Sequence, residues 1–109
     1  MNGVVVERAI GYKLCSAAAE GNINELSKLK QEGSSLDVAD YDLRTAMHLA
    51  CSEGRLSTVK WLINEGANLG VKDIFGNKPI DDAIRYNHKA IVKLIQISNC
   101  SGLSLNSLK

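Results

Sequence analysis

Residues 44–54 read RTAMHLACSEG, the pattern of a short helix with a signal at each end. Thr45 is a hydroxyl residue placed to cap the start, Met47, Leu49, Ala50 and Cys51 give an apolar body, and Gly54 can close the helix in the left-handed conformation. Residues 56–63, LSTVKWLI, then place apolar side chains at helical spacing, and Glu65-Gly66-Ala67-Asn68 supplies the next stop. Two short helices joined by a tight turn cannot bury their apolar faces alone. They need neighbours of the same kind.

The neighbours are in the chain, 33 residues to either side. Leu14, Met47 and Ile80 form one column, and Ala17, Ala50 and Ala83 form a second, where small residues let helices approach. Leu26, Val59 and Val92, with Leu29, Leu62 and Ile95, form the stripe of the second helices. Gly21, Gly54 and Asn87 share a turn column, and Gly33, Gly66 and Asn99 share an exit column, with Asn standing in for Gly where φ must be positive. This register resembles that of ankyrin-repeat proteins. The resemblance implies an all-α solenoid of about three stacked helix-turn-helix repeats with short β-finger loops, in one domain.

The expected repeats are 7–39, 40–72 and 73–99, with a tail at 100–109 and an apolar lead-in, MNGVVV, that is either a frayed end or a graft point. The first repeat replaces the usual Thr-Pro-Leu-His opening with Tyr12-Lys-Leu14-Cys15. It carries Glu25, Lys28 and Lys30 where an internal repeat is apolar, as an N-terminal cap should. The third keeps Ile91, Val92, Leu94 and Ile95 apolar, so that face calls for a cover: the tail, a second copy through self-association, or another domain. Leu103, Leu105 and Leu108 suit a covering tail, and a disordered tail is the equal alternative.

Composition narrows the function. With 109 residues the chain buries about two thirds of its unfolded surface, and one Pro, one Phe and one Trp leave the core to aliphatic residues and alanine. Thirteen basic against twelve acidic residues give a net charge of +1, which argues against a sequence-independent hold on nucleic acid or anionic membrane. Cys15, Cys51 and Cys100 are odd in number and fall in unrelated columns, which points to reduced thiols in an intracellular compartment. No stretch resembles a membrane span or a transit peptide.

Candidate chemistry reduces to structure in each case. Lys78 stands where a capping Thr is expected, but Pro79 suits the first helical position and Asp81 and Asp82 favour the helix dipole. Asp81 can reach back to a backbone N–H as the acidic half of a capping box. A metal or acid/base role for this pair with His88 lacks further ligands. His48 and Cys51 share a helical face but have no other zinc ligands at motif spacing. The ankyrin resemblance implies instead that the His48 imidazole bonds Thr45 and a neighbouring repeat's backbone. Trp61 and Tyr86 are expected to pack rather than to stack on bases.

The runs from Asp40 (DYDLRTAMHLACSEG) and Phe75 (FGNKPIDDAIRYNHKAIVKLIQ) resemble the C-terminal ankyrin segment of animal glutaminases, with the asparaginase-type ankyrin tail close behind. That resemblance covers residues 12–97. It implies an accessory module whose catalytic residues lie elsewhere. Glutaminases of this kind use a Ser-x-x-Lys helix, and the two matches here, Ser27 to Lys30 and Ser57 to Lys60, lack the accompanying motifs. Leu43, where most ankyrin repeats have Gly, makes a standard tight turn less secure.

The expectation is therefore a non-catalytic protein-interaction module with no cofactor or metal, and with no nucleic-acid or membrane partner. The alternative is a regulatory or assembly domain of an amidohydrolase. The compartment is cytoplasmic, or mitochondrial if the chain belongs to a glutaminase. The ankyrin resemblance implies as partner-binding positions the residues after each opening Asp and before each turn residue: Tyr41, Asp42, Arg44, Ser52 and Glu53, then Ile74, Phe75, Asn77, Arg85 and Tyr86. Two readings of Phe75 stand: an exposed anchor for a partner, or a ring folded back against Tyr41.

Overall fold

Among the described residues the chain forms three helical hairpins. They are α1 (Gly3–Glu20) with α2 (Ile23–Gln31), α3 (Ala46–Ser52) with α4 (Leu56–Asn64), and α5 (Pro79–Arg85) with α6 (Lys89–Ser101). The computed structural model describes the backbone of residues 3–101 and the side chains of residues 8–99. Each hairpin turns on a residue with positive φ: Gly21 at 72°, Gly54 at 72° and Asn87 at 62°. Asn87 takes over from glycine at the position where an L residue best tolerates that conformation.

The first helices α1, α3 and α5 lie side by side as the tighter layer, and the second helices stand behind them. Ala17, Ala50 and Ala83 are buried where these inner helices approach, and Leu14, Met47, Leu26, Val59, Leu29, Leu62 and Ile95 fill the core. Burying a large aliphatic side chain contributes about 1.5–3 kcal/mol, so these columns carry most of the stabilisation.

Two side-chain hooks repeat with the helices. Arg55 Nε–H donates to the Ala19 carbonyl at 2.8 Å, and His88, 33 residues on, lies with Nε2 3.0 Å from the Ser52 carbonyl. In the other direction, Cys15 Sγ–H donates to the Arg44 carbonyl at 3.2 Å, and His48 Nε2 meets the Asn77 carbonyl at 2.9 Å. Asp81, next in that column, spends its carboxylate on the Lys78 N–H at 2.8 Å. It acts as the acidic half of the helix start.

The fingers are Asp-anchored turns, and no strand occurs among the described residues. Asp40 Oδ1 accepts the N–H groups of Asp42 and Arg44, and Asp73 Oδ1 accepts those of Phe75 and Asn77. Leu43, at φ 60°, completes the same turn that Gly76 makes at 81°. The turn survives the missing glycine at some cost in backbone strain. The Ile74 N–H donates to the Asp42 carbonyl at 3.0 Å and ties one finger to the next.

Four expectations need correction. The lead-in is helical from Gly3, so α1 runs 18 residues and occupies the place of a first finger. A Cβ at Gly11 would strike the Ala39 carbonyl, so glycine lets this helix lie against the loop. Lys30 stays exposed but reaches along the stack to pair with Glu65 at 2.6 Å, rather than standing unpaired on the outer face of a cap. Asn99 sits within α6, which continues past the point where the Gly33 and Gly66 columns end their helices. Of the apolar face expected to need a cover, Ile91 and Ile95 are buried in the core and Leu94 is partly buried against it, while Val92 lines the end of the stack together with Ile84. The tail's proposed cover, residues 102–109, lies outside the described residues.

Candidate functional site

The two fingers and the inner ends of α3 and α5 enclose a small groove of about 150 Å³. Repeat geometry places it there. Each finger is fixed by its Asp at the base, and each inner helix ends at the turn column, so finger and helix end face each other across the groove.

Of the expected positions, Asp42, Arg44, Ser52, Phe75, Asn77, Arg85 and Tyr86 line this groove. Tyr41, Glu53 and Ile74 stand outside its lining, all three exposed. Phe75 is 79% exposed and Tyr41 69%, so the two rings do not cover each other. Tyr86 is also exposed and does not pack as expected, while Trp61 is half-buried against the core. The Arg85 guanidinium lies 6.0 Å from the centre of the Tyr86 ring, at the limit of a cation–π contact.

Sequence reading missed two groove residues, Asp73 and Asp82. Burial opposes the charge on Asp73, but the donated N–H groups of Asn77 and Phe75, with Arg44 nearby, hold its carboxyl below the usual range. Asp82 is only 3% exposed. Its Oδ1 accepts from Arg85 Nη1 at 3.0 Å, and its Oδ2 has no hydrogen-bond partner. Burial pushes its carboxyl above the usual range, with Asp73 adding to the rise and Arg44 and Arg85 opposing it. The available signal was the column: Asp82 falls where the second repeat has Leu49 and the first Ser16.

The other chemical candidates are structural in their contacts. His48 Nδ1 accepts the Thr45 N–H at 3.0 Å, so its Nε2 carries the proton donated to Asn77. Cys15 and Cys51 are buried thiols, and burial pushes each up to about 12, far from nucleophilic range. Lys30, paired with Glu65, and exposed Ser57 and Lys60 show no base-nucleophile contact. Among the described residues no group of His, Cys, Asp and Glu is placed to hold a metal, and no helix is long and apolar enough to cross a membrane.

A larger hollow of about 420 Å³ opens at the end of the stack between α5 and α6, lined by Ile84, His88, Lys89, Val92 and Lys93 among others.

The register, the hooks and the paired layers agree with a known family. A family model for ankyrin repeats (3 copies) matches residues 14–107, and the chain belongs to the ankyrin-repeat family. Ankyrin repeats are protein-interaction modules on a non-catalytic fold. The chain is 42% identical over 84 residues to the mitochondrial liver isoform of glutaminase from Mus musculus, covering 76% of this chain and 14% of that protein. It is 37% identical over 86 residues to the potassium channel GORK of Arabidopsis thaliana, 79% of this chain and 10% of the channel. It is 32% identical over 94 residues to the L-asparaginase of Dirofilaria immitis, 86% of this chain and 16% of the enzyme. The chain thus spans a small fraction of each relative, and the relatives named include a glutaminase, an L-asparaginase and a potassium channel.

Proposed function

We propose that this chain is a non-catalytic module that takes a protein partner in the groove between its fingers and inner helices. The observation that carries the proposal is the groove itself. It gathers residues from both fingers and both helix ends around an exposed Phe75, the arrangement of a peptide seat with an aromatic anchor. The working repeat boundaries remain 7–39, 40–72 and 73–99, and the compartment is intracellular, as two buried reduced thiols suit.

Selection of binding peptides from a random displayed library, using the whole chain as bait, tests this. Phe75→Ala is expected to weaken the selected peptides by about 2 kcal/mol with almost no change in melting temperature. Substitution of Lys60, on the far surface of α4, is expected to leave them unaffected. Binders that ignore Phe75 and depend on the α4 surface would overturn the proposal.

The likeness to glutaminase and asparaginase favours a second reading, an accessory domain of a larger amidohydrolase. In that setting the hollow beside α6 is the docking face for the rest of the chain, and the compartment follows the parent protein. Coexpression of this segment with an amidohydrolase domain encoded in the same reading frame, with Val92→Lys as control, distinguishes this reading from the first.

A further inference from the structure

We infer that the groove receives a basic side chain, the ammonium of a lysine or the guanidinium of an arginine on the partner, with the Asp82 carboxylate as its acceptor. This rests on the groove reading above and names the chemistry of its occupant.

The starting point is an oxygen without a partner. Asp82 is 97% buried, yet Oδ2 receives no hydrogen bond, and a buried acceptor left unmade is unfavourable. The column does not demand a carboxylate, since Leu49 fills it in the second repeat. Asp82 therefore stands at a cost to the free protein that a partner's donor would relieve.

The surroundings favour a cationic donor. Asp42, Asp73 and Asp82 line the groove against Arg44 and Arg85, leaving one excess negative charge, and the neighbouring His48 is committed to Thr45 and Asn77. The Cys51 thiol, also near Asp82, stays uncharged at neutral pH. The groove already shows how it would hold a guanidinium. Arg85 reaches Asp82 through one nitrogen only, with its carbon over the Tyr86 ring, and half of its side chain lies in solvent. An arginine so loosely held can swing aside and leave the Asp82 carboxylate, at the wall of the groove, to an incoming cation. An acidic peptide would have to approach three carboxylates to reach the two arginines.

Chemical-shift titration of the isotope-labelled full chain with end-blocked Ala-Ala-Xaa-Ala-Ala peptides, Xaa being Lys, Arg, Gln or Glu, tests this. The Lys and Arg peptides are expected to move the amides of Asp82, Tyr86 and Phe75, with Gln and Glu at least tenfold weaker. Asp82→Asn is expected to weaken the Lys and Arg peptides at least tenfold, and Asp82→Leu, which restores the residue type of the Leu49 column, is expected to do the same in a chain that melts no lower. Equal binding of the Glu peptide, unchanged affinity in Asp82→Asn, or no shift with any peptide would overturn the inference. If library-selected peptides still depend on Phe75 while the Lys and Arg peptides fail, the groove reading stands and the basic occupant falls. If the shifts map to α2 and α4, both fall.

Discussion

Helices α3 and α5 have the same length and stand 33 residues apart, yet they use their polar residues in opposite ways. In α3, His48 is fully buried and joins its own helix start to the next finger, accepting from Thr45 and donating to Asn77. In α5 the matching residue, Asp81, bonds back to Lys78, and the next one, Asp82, holds an oxygen with no partner. The second repeat is built for neighbours on both sides. The third is turned toward its own helix start and the groove.

The sharpest way to break this contrast is to remove the two matching residues in turn. His48→Ala leaves the Thr45 N–H and the Asn77 carbonyl each without a side-chain partner in a buried site and should cost about 3 kcal/mol or more. Asp81→Ala removes one helix-start bond and should cost about 1 kcal/mol. Denaturant unfolding of the two variants checks the difference, and equal losses would mean that the two repeats are braced alike.

Next in size is the packing column. Ala50 lies between two inner helices, so Ala50→Leu should overpack the stack by about 1–3 kcal/mol. Ala83 borders the hollow at the open end, so Ala83→Leu should cost less. Comparable melting temperatures for the two would place a covering neighbour over α5 and α6.

A pH series separates two carboxylates of the third repeat by sign. Asp82, raised in the folded chain, contributes stability below its unfolded value of 3.8 that is lost as the pH climbs through its higher folded value. Asp73, lowered, contributes stability above 3.8 that is lost as the pH falls. Cys15 and Cys51 have folded values of about 12 against 9.0 unfolded, so their contribution is complete below pH 9 and disappears between about 9 and 12. Alkaline unfolding curves should therefore steepen above pH 9 and flatten in Cys51→Ala. A curve unchanged by that substitution would place the thiol outside the core.

Legibility followed how locally each residue's task is defined. Gly21, Gly54 and Asn87 announce a positive φ because few residues tolerate it, and all three adopt it. His48 was readable because a helix start and a neighbouring finger are both implied by the repeat. Asn99 misled because nothing in the sequence shows that α6 continues as a helix. Lys30 misled because a long side chain can turn along the stack, as it does toward Glu65. Asp82 was hidden by its location, since an acidic residue near a helix start already has a local explanation, and only the fold shows that it is buried. Phe75 could not be settled from a loop of two adjacent apolar residues, and its exposure emerges from the geometry of the finger.

The contrast between the two repeats comes to a point at Asp82, and unfolding of Asp82→Leu as a function of pH tests it most directly. At neutral pH the variant should be more stable than the parent by about 1 kcal/mol, because a buried carboxylate with one free oxygen gives way to the apolar residue its column otherwise holds. The gain should shrink as the pH falls through the raised folded value of the parent's carboxyl, and change no further below 3.8. A variant less stable than the parent at neutral pH, or a difference that ignores pH, would show that Asp82 braces the fold as His48 does, and the contrast would be lost.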